Sequence, residues 1–191
     1  MHGEKRARLP RITEMAHRLL AERVQAGDTV VDATAGNGHD TLFLAQLVGE
    51  GGHVHAYDIQ AKAIEATRER LKARGLEGRV TLHHASHAGI RELSDVLQAV
   101  IFNLGYLPGS DKTVITTAGE TVAAVQGALS HLLPGGMVVI VAYVGHDGGE
   151  AEAEALEAYV RSLPLHEYLV LKYAYINPNN EPPYIVAIEK K

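Results

Sequence analysis

"VVDATAGNGHDT", Val30 to Thr41, runs from two β-branched apolar residues through an acid and a loop of small residues to a second acid and a hydroxyl. The pattern reads as a buried strand that enters a ligand-binding turn and then a helix N-terminus. A phosphate-cradling loop needs a Lys after its glycines, and none follows here. A dinucleotide fingerprint G-x-G-x-x-G finds Gly36 and Gly38 in place but Thr41 where the third glycine belongs. Asp32 precedes the glycines, where a carboxylate can hold the loop or an ammonium group. A pyrophosphate would gain nothing from that charge.

Outward from this stretch, strands and helices alternate without an internal repeat. Helical spacing covers Ile12 to Val24 and ends at Gly27-Asp28; a short strand follows at Thr29–Ala33 and a helix at Asp40–Val48, closed by "GEGG". His53–Asp58, Arg79–His83 and Leu97–Asn103 read as strands, with a helix at Gln60–Arg74 stopped by Gly75. A long helix at Thr117–Leu133 should end in Pro134-Gly135-Gly136. "MVVIVAYV" then reads as a central strand covered on both faces. The helix Glu150–Leu163 precedes two strand-like runs, Glu167–Ile176 and Tyr184–Glu189, joined by "NPNNEPP". These runs predict an α/β fold: an open, mostly parallel seven-stranded sheet with helices on both faces and an antiparallel C-terminal strand. The 191 residues fit a single domain, 1–191, with residues 1–11 as a basic N-terminal arm.

Composition narrows the chemistry. Cysteine is absent, which excludes disulfides, zinc–thiolate sites, iron–sulfur clusters and a thiolate that attacks a pyrimidine ring. No apolar run is long enough to span a membrane, and the N-terminus lacks a secretory h-region, so the expected compartment is cytoplasmic. A net charge of −5 does not favour non-specific nucleic-acid binding. Lys5, Arg6, Arg8 and Arg11 nevertheless cluster before the first helix, as a solvated arm or a contact for phosphates.

The spacing D-x-T-x-G-x-G resembles the first motif of class I S-adenosylmethionine-dependent methyltransferases, a Rossmann-like fold, with Thr34 where glycine is usual. Gly36 and Gly38 would let the backbone approach S-adenosylmethionine closely, and Asn37 would bond its methionine end. Asp40 and Thr41 complete the cofactor loop. Asp58 ends the second strand twenty-two residues after Gly36, where its carboxylate can accept both ribose hydroxyls; Ile59 and Gln60 would lie along the adenosine. Asp58 could equally cap the following helix. Where many relatives of that fold carry an acid for the adenine, this chain has Ala85, leaving Ser86 and His87 to take over the contact. His83, His84 and His87 do not make a metal site, since adjacent strand residues point to opposite faces.

The fourth strand ends in Asn103-Leu104-Gly105-Tyr106. It matches the first and fourth positions of the [DN]-P-P-[FY] motif of amino-methyltransferases, in which a polar side chain accepts from the amine and the ring packs on the substrate. "DATAGNGHDTLFLA", "FNLGYLPGSDK", "VGHDGGEAE" and "NPNNEPP" together resemble the YtqB-like / MnmM family, once labelled rRNA methylases, from about Ile12 to Ile188. That resemblance implies methylation of the 5-aminomethyl group of 2-thiouridine at the tRNA wobble position, with the anticodon region of tRNA as partner. An exocyclic amine needs no ring-attacking thiolate, in agreement with the missing cysteines. The residues expected at the reaction are Asn103, Tyr106 and His146; Asn177, Asn179, Asn180 and Pro182, with Tyr106, are expected to touch substrate. His87 or His146 could accept the proton that the amine must lose. "GHDGG" would form a lip over the cofactor face. The helices leave room for a homodimer, though no motif requires one. The competing readings are methylation of rRNA or of a small amine, a non-catalytic binding module on the same fold, and an NAD-dependent oxidoreductase.

Overall fold

The computed structural model describes residues 9–104, 118–143, 149–178 and 182–191. Five α-helices are described: α1 (Ile12–Ala21), α2 (His39–Leu47), α3 (Ala61–Lys72), α4 (Ala118–His131) and α5 (Gly149–Ser162). Seven strands, β1 (Thr29–Asp32), β2 (His53–Asp58), β3 (Val80–His84), β4 (Leu97–Leu104), β5 (Leu132–Ala142), β6 (Tyr168–Tyr173) and β7 (Tyr184–Lys190), join one sheet in the order β3-β2-β1-β4-β5-β7-β6. The pairs β1·β2, β1·β4, β2·β3 and β4·β5 are parallel, whereas β7 runs antiparallel to both β5 and β6. The strand connection reverses direction across the sheet between β1 and β4. A crevice at the carboxyl ends of these two strands is where open α/β sheets bind their ligands.

The period of two along each strand divides the core into two layers. Val30, Ile101, Val139, Val141 and Ile185 pack with Ile12, Ala16 and Leu20 of α1 and with Leu44 and Ala45 of α2. Val31, Val100, Phe102, Ile140 and Val186 pack on the other face with Ala124, Val125 and Ala128 of α4 and Leu156 and Val160 of α5. Met137 through Ala142 are buried on both faces, as the uninterrupted apolar run requires. Phe102 alone, fully enclosed, contributes about 2–3 kcal/mol of burial.

Three elements depart clearly from their sequence patterns. The run expected as Glu167–Ile176 is strand only over Tyr168–Tyr173. Helix α1 stops at Ala21, but Val24 is still buried and its N–H still bonds the Leu20 carbonyl. The apolar spacing therefore outlasts the helix because the turn after it packs on the same core. Pro134-Gly135-Gly136 does not terminate α4, which ends at His131; it lies within β5, where the pairing skips from Leu97–Leu132 to Ala99–Met137. Gly135, at φ +79°, supplies the backbone that this irregularity needs.

Candidate functional site

The loop after β1 is held from three sides. The Gly36 N–H donates to Asp58 Oδ2 at 2.9 Å, and the Gln60 N–H donates to Asp58 Oδ1 at 2.9 Å. The carboxylate that closes β2 thus grips both the loop and the start of α3, as the helix-cap reading of Asp58 expects. The Ala35 N–H bonds the Tyr57 carbonyl at 2.8 Å, and Thr67 Oγ1 donates to the Gly36 carbonyl at 3.2 Å. Arg70 Nε bonds the carbonyl of Asn37 at 2.6 Å, leaving the exposed Asn37 side chain on the outer side of the turn.

Gly38 makes the N-cap of α2 in the left-handed region, at φ +75°, and a Cβ there would lie 2.9 Å from Thr67 Cα. Only glycine lets α3 approach the loop this closely. Gly38→Ala is expected to cost about 2–3 kcal/mol, from the unfavourable φ and the backbone clash. The corresponding fall in Tm is about 5–10 °C, measurable by differential scanning calorimetry.

Asp32 is fully buried and has both oxygens engaged: Oδ1 accepts from the Thr34 N–H at 3.1 Å and Oδ2 from Thr41 Oγ1 at 2.6 Å. Of its two expected roles, the geometry supports holding the loop, with Thr41 as its internal partner. Burial first, and then the neighbouring Asp40 charge, push its carboxyl up to about 7. Asp58 adds a smaller push in the same direction. The Asp40 and Asp58 carboxylates therefore flank a loop that offers no lysine, a field that suits a cationic ligand and opposes a pyrophosphate.

Asp40, in the first turn of α2, is the hub of a second cluster. Its Oδ1 lies 2.6 Å from His17 Nε2, and its Oδ2 accepts from Asn103 Nδ2 at 3.1 Å. Burial works against the charge on Asp40, yet the hydrogen bonds from His17 and Asn103 and the nearby His17 and His39 rings outweigh it, so its carboxyl sits below the usual range. The Asn103 N–H donates to Thr34 Oγ1 at 2.7 Å, so the residue standing in place of the usual glycine ties the first loop to the end of β4. Tyr143, just past β5, faces the same acid, and burial followed by the Asp40 charge raises its phenol.

Ser86 and His87, expected at the adenine, both have partners within the fold. Ser86 accepts from the Ala88 N–H at 3.2 Å as the cap of a 3-10 turn over His87–Glu92. His87 is 7 % exposed, edge-on to Phe102, and leaves Nε2 buried without a partner. Burial, the largest influence, lowers its pKa, against a smaller upward pull from Glu120 and from the hydrogen bond to the Ala33 backbone. Ala85 and Ile59 are the exposed surfaces here, with Ile59 44 % exposed beside Asp58.

Asn177 is exposed and Pro182 half-buried, next to β7. Tyr106, His146, Asn179 and Asn180, with Gly145 to Gly148 of the expected lip and Lys5, Arg6 and Arg8 of the arm, lie outside the described residues. Tyr173 and Tyr175 hydroxyls donate to one carbonyl, that of Pro10, at 3.3 and 2.5 Å. These bonds join the end of the basic arm to the chain entering "NPNNEPP". No group of three or more metal-ligating side chains with metal-site geometry occurs among the described residues. His17, Arg70 and the tyrosine pair are contributions that the sequence did not reveal, since their partners lie 23, 33 and more than 160 residues away.

The residues fit S-adenosylmethionine better than a dinucleotide. The Asp40 and Asp58 charges lie beside the loop, Gly38 allows a closeness that any Cβ would block, and the Asp58 carboxylate stands at the end of β2 with acceptor capacity beyond its two backbone bonds. Residues 54–189 match the family model described as "Putative rRNA methylase". A chloroplastic tRNA (mnm(5)s(2)U34)-methyltransferase of Arabidopsis thaliana is 37% identical over 202 residues, covering 100% of this chain and 72% of the relative. The crystal structure of a "putative rRNA-methylase" from Clostridium thermocellum superposes with a TM-score of 0.94 at 39% identity, covering 97% of this chain and 100% of the other. A "putative methyltransferase" of Streptococcus mutans, solved with SAH, superposes with a TM-score of 0.88 at 34% identity, covering 96% of this chain and 100% of the other.

Proposed function

The chain belongs to the family described as "Putative rRNA methylase", and from that premise we propose that it methylates the 5-aminomethyl nitrogen of 2-thiouridine at the tRNA wobble position. It is an S-adenosylmethionine-dependent methyltransferase acting on RNA. The observation that carries the amine reading is the placement of Asn103. Its backbone bonds Thr34 and its side chain bonds Asp40, which sets the first residue of Asn103–Tyr106 against the cofactor loop. The full-length similarity to the Arabidopsis tRNA enzyme supports the choice of substrate.

S-adenosylmethionine supplies a methyl group on a cationic sulfur, open to direct displacement by a neutral nitrogen. Asp58 would hold the ribose, the backbone of Gly36 to Gly38 the methionine end, and the buried Asp32 the shape of the loop. Asn103 would accept a hydrogen bond from the substrate amine and Tyr106 would pack on the base. Placement of this kind can supply most of the rate in a displacement that needs no covalent enzyme intermediate. His146 is the proposed acceptor of the amine proton. His146→Ala should lower turnover and move its pH profile.

No helix among the described residues is long and apolar enough to cross a membrane, and the cytoplasm is the compartment proposed for the activity. The anticodon arm would lie along the edge where Tyr173 and Tyr175 fix Pro10, between the basic arm and Asn177 to Pro182. Replacing Lys5, Arg6, Arg8 and Arg11 together by Gln keeps that anchor and removes four positive charges. The slope of log K for tRNA against log salt should become shallower by about 1–3. An unchanged slope in filter-binding titrations would remove the arm from the interface.

The direct test incubates the protein and S-adenosylmethionine with tRNA carrying 5-aminomethyl-2-thiouridine and follows nucleosides by mass spectrometry. A gain of one methyl on that nucleoside alone is expected. Binding of SAH without any gain would direct the assignment to rRNA or small amines.

A further inference from the structure

Asn103 has an amide with one donor end and one acceptor end, and its surroundings decide which way it faces. Asp40 Oδ2 meets Nδ2 at 3.1 Å, and a charged carboxylate can only accept. The amide nitrogen is therefore the end turned to Asp40, and the carbonyl oxygen Oδ1 is the end left for another partner. Asp40 is itself fixed on its second oxygen by His17 Nε2 at 2.6 Å. The His17 ring lies flat on Phe43, with centroids 4.0 Å apart and planes 6° apart. The cluster draws one residue each from α1, α2 and β4, and the Asp40 side chain is only 14% exposed. A charge-assisted bond in so sheltered a place resists rotation of the amide.

We propose that His17 and Asp40 are positioning residues that lock the Asn103 amide with its oxygen as acceptor for the substrate's amino group. The proposal rests on the N-methylation reading above and deepens it. An amine that donates one N–H to a fixed oxygen keeps its lone pair free to point along the line of displacement. A reversed amide would present N–H groups instead, and these would compete for that lone pair. His17, which touches neither loop nor ribose position in the described contacts, thus acts on the nucleophile through Asp40.

The test uses the full-length protein with SAH, labelled with ¹⁵N in its asparagines, and the variants His17→Ala, His17→Gln and Asp40→Ala. In the wild type the Asn103 side-chain protons, assigned by their loss in Asn103→Asp, should include one shifted downfield and slow to exchange. Asp40→Ala should return that pair to the position of a free amide, and His17→Ala should broaden it. In turnover, His17→Ala should lower kcat at least tenfold while KM for S-adenosylmethionine stays within twofold. His17→Gln, whose amide nitrogen can replace Nε2 on Asp40, should recover most of the loss. A role confined to packing on Phe43 would lower Tm without that split between kcat and KM, and Gln would not restore turnover. Asn103 signals unchanged in Asp40→Ala, or an unchanged kcat in His17→Ala, would overturn the proposal. Should wild-type protein leave 5-aminomethyl-2-thiouridine unmethylated, the substrate reading fails alone, because the amide signals still decide whether the lock exists.

Discussion

Asp58→Ala should weaken SAH binding by about 100- to 1,000-fold in isothermal titration calorimetry, with Asp58→Asn falling between the variant and the wild type. The carboxylate makes two backbone bonds at 2.9 Å, to the Gly36 and Gln60 N–H groups, and so fixes the loop that would surround the ligand. A carboxylate offers about four acceptor positions, which leaves room for two ribose hydroxyls. Hydrogen bonds to a charged group are worth about 1.5–3 kcal/mol each, so loss of the ribose pair at the lower end of that range removes about 3 kcal/mol even before the loop relaxes. Asparagine keeps one acceptor oxygen and loses the charge, hence its intermediate place. A loss below tenfold in a folded Asp58→Ala protein would confine Asp58 to holding the loop and the start of α3. It would then direct the search for the ribose site to the exposed surface around Ile59 and Ala85.

Most of the architecture and the glycine loop were legible in the chain, for separable reasons. His53–Asp58 matches its strand to the residue because alternating burial and a terminal acid are local signals. The mostly parallel seven-stranded sheet with β7 antiparallel follows from alternation plus a final pair without a helix between them, whereas the strand order came from the structure alone. Glycine placement at Gly36 and Gly38 was equally legible, since positive φ demands it locally. What local patterns cannot carry is the direction in which a polar side chain turns once the sheet is assembled. Asp32 reads as a ligand contact or a loop holder with equal ease; only zero exposure separates the two. Asp40 reads as part of the cofactor loop, yet its partners are on α1 and β4. Ser86 and His87 sit at the expected strand end, where one caps a turn and the other is buried.

Asp32 should also dominate the response of the ligand-free protein to pH, and Asp32→Asn should remove it. Burial, then the Asp40 charge, raise the Asp32 carboxyl from 3.8 to about 7, against the lowering effect of its bonds from Thr41 and Thr34. Of this interacting acid pair, Asp40 is held below the usual range by His17 and Asn103, so Asp32 keeps the proton. A carboxyl with a folded pKa above its unfolded one favours the folded state fully below about pH 3.8, and that contribution is lost as pH rises to about 7. The shift spans about three units, or about 4 kcal/mol at 1.36 kcal/mol per unit. His55, His83 and His87 have pKa values lowered chiefly by burial, so they act in the opposite sense: their stabilisation is present above about pH 6.5 and lost as pH falls. The wild-type curve therefore mixes two slopes, whereas the difference between wild type and Asp32→Asn cancels the histidines. Asparagine can keep its oxygen on the Thr34 N–H and turn its nitrogen to Thr41 Oγ1, so the loop survives the exchange. Urea unfolding between pH 5 and pH 8 should show the variant gaining about 2–3 kcal/mol on the wild type as pH rises. Parallel curves would mean that Asp32 stays ionised throughout. A cationic ligand over the loop would favour the ionised carboxylate and expel this proton. Calorimetric titrations of S-adenosylmethionine at pH 6.5, in two buffers of different ionisation enthalpy, should then show proton release from the wild type and none from Asp32→Asn.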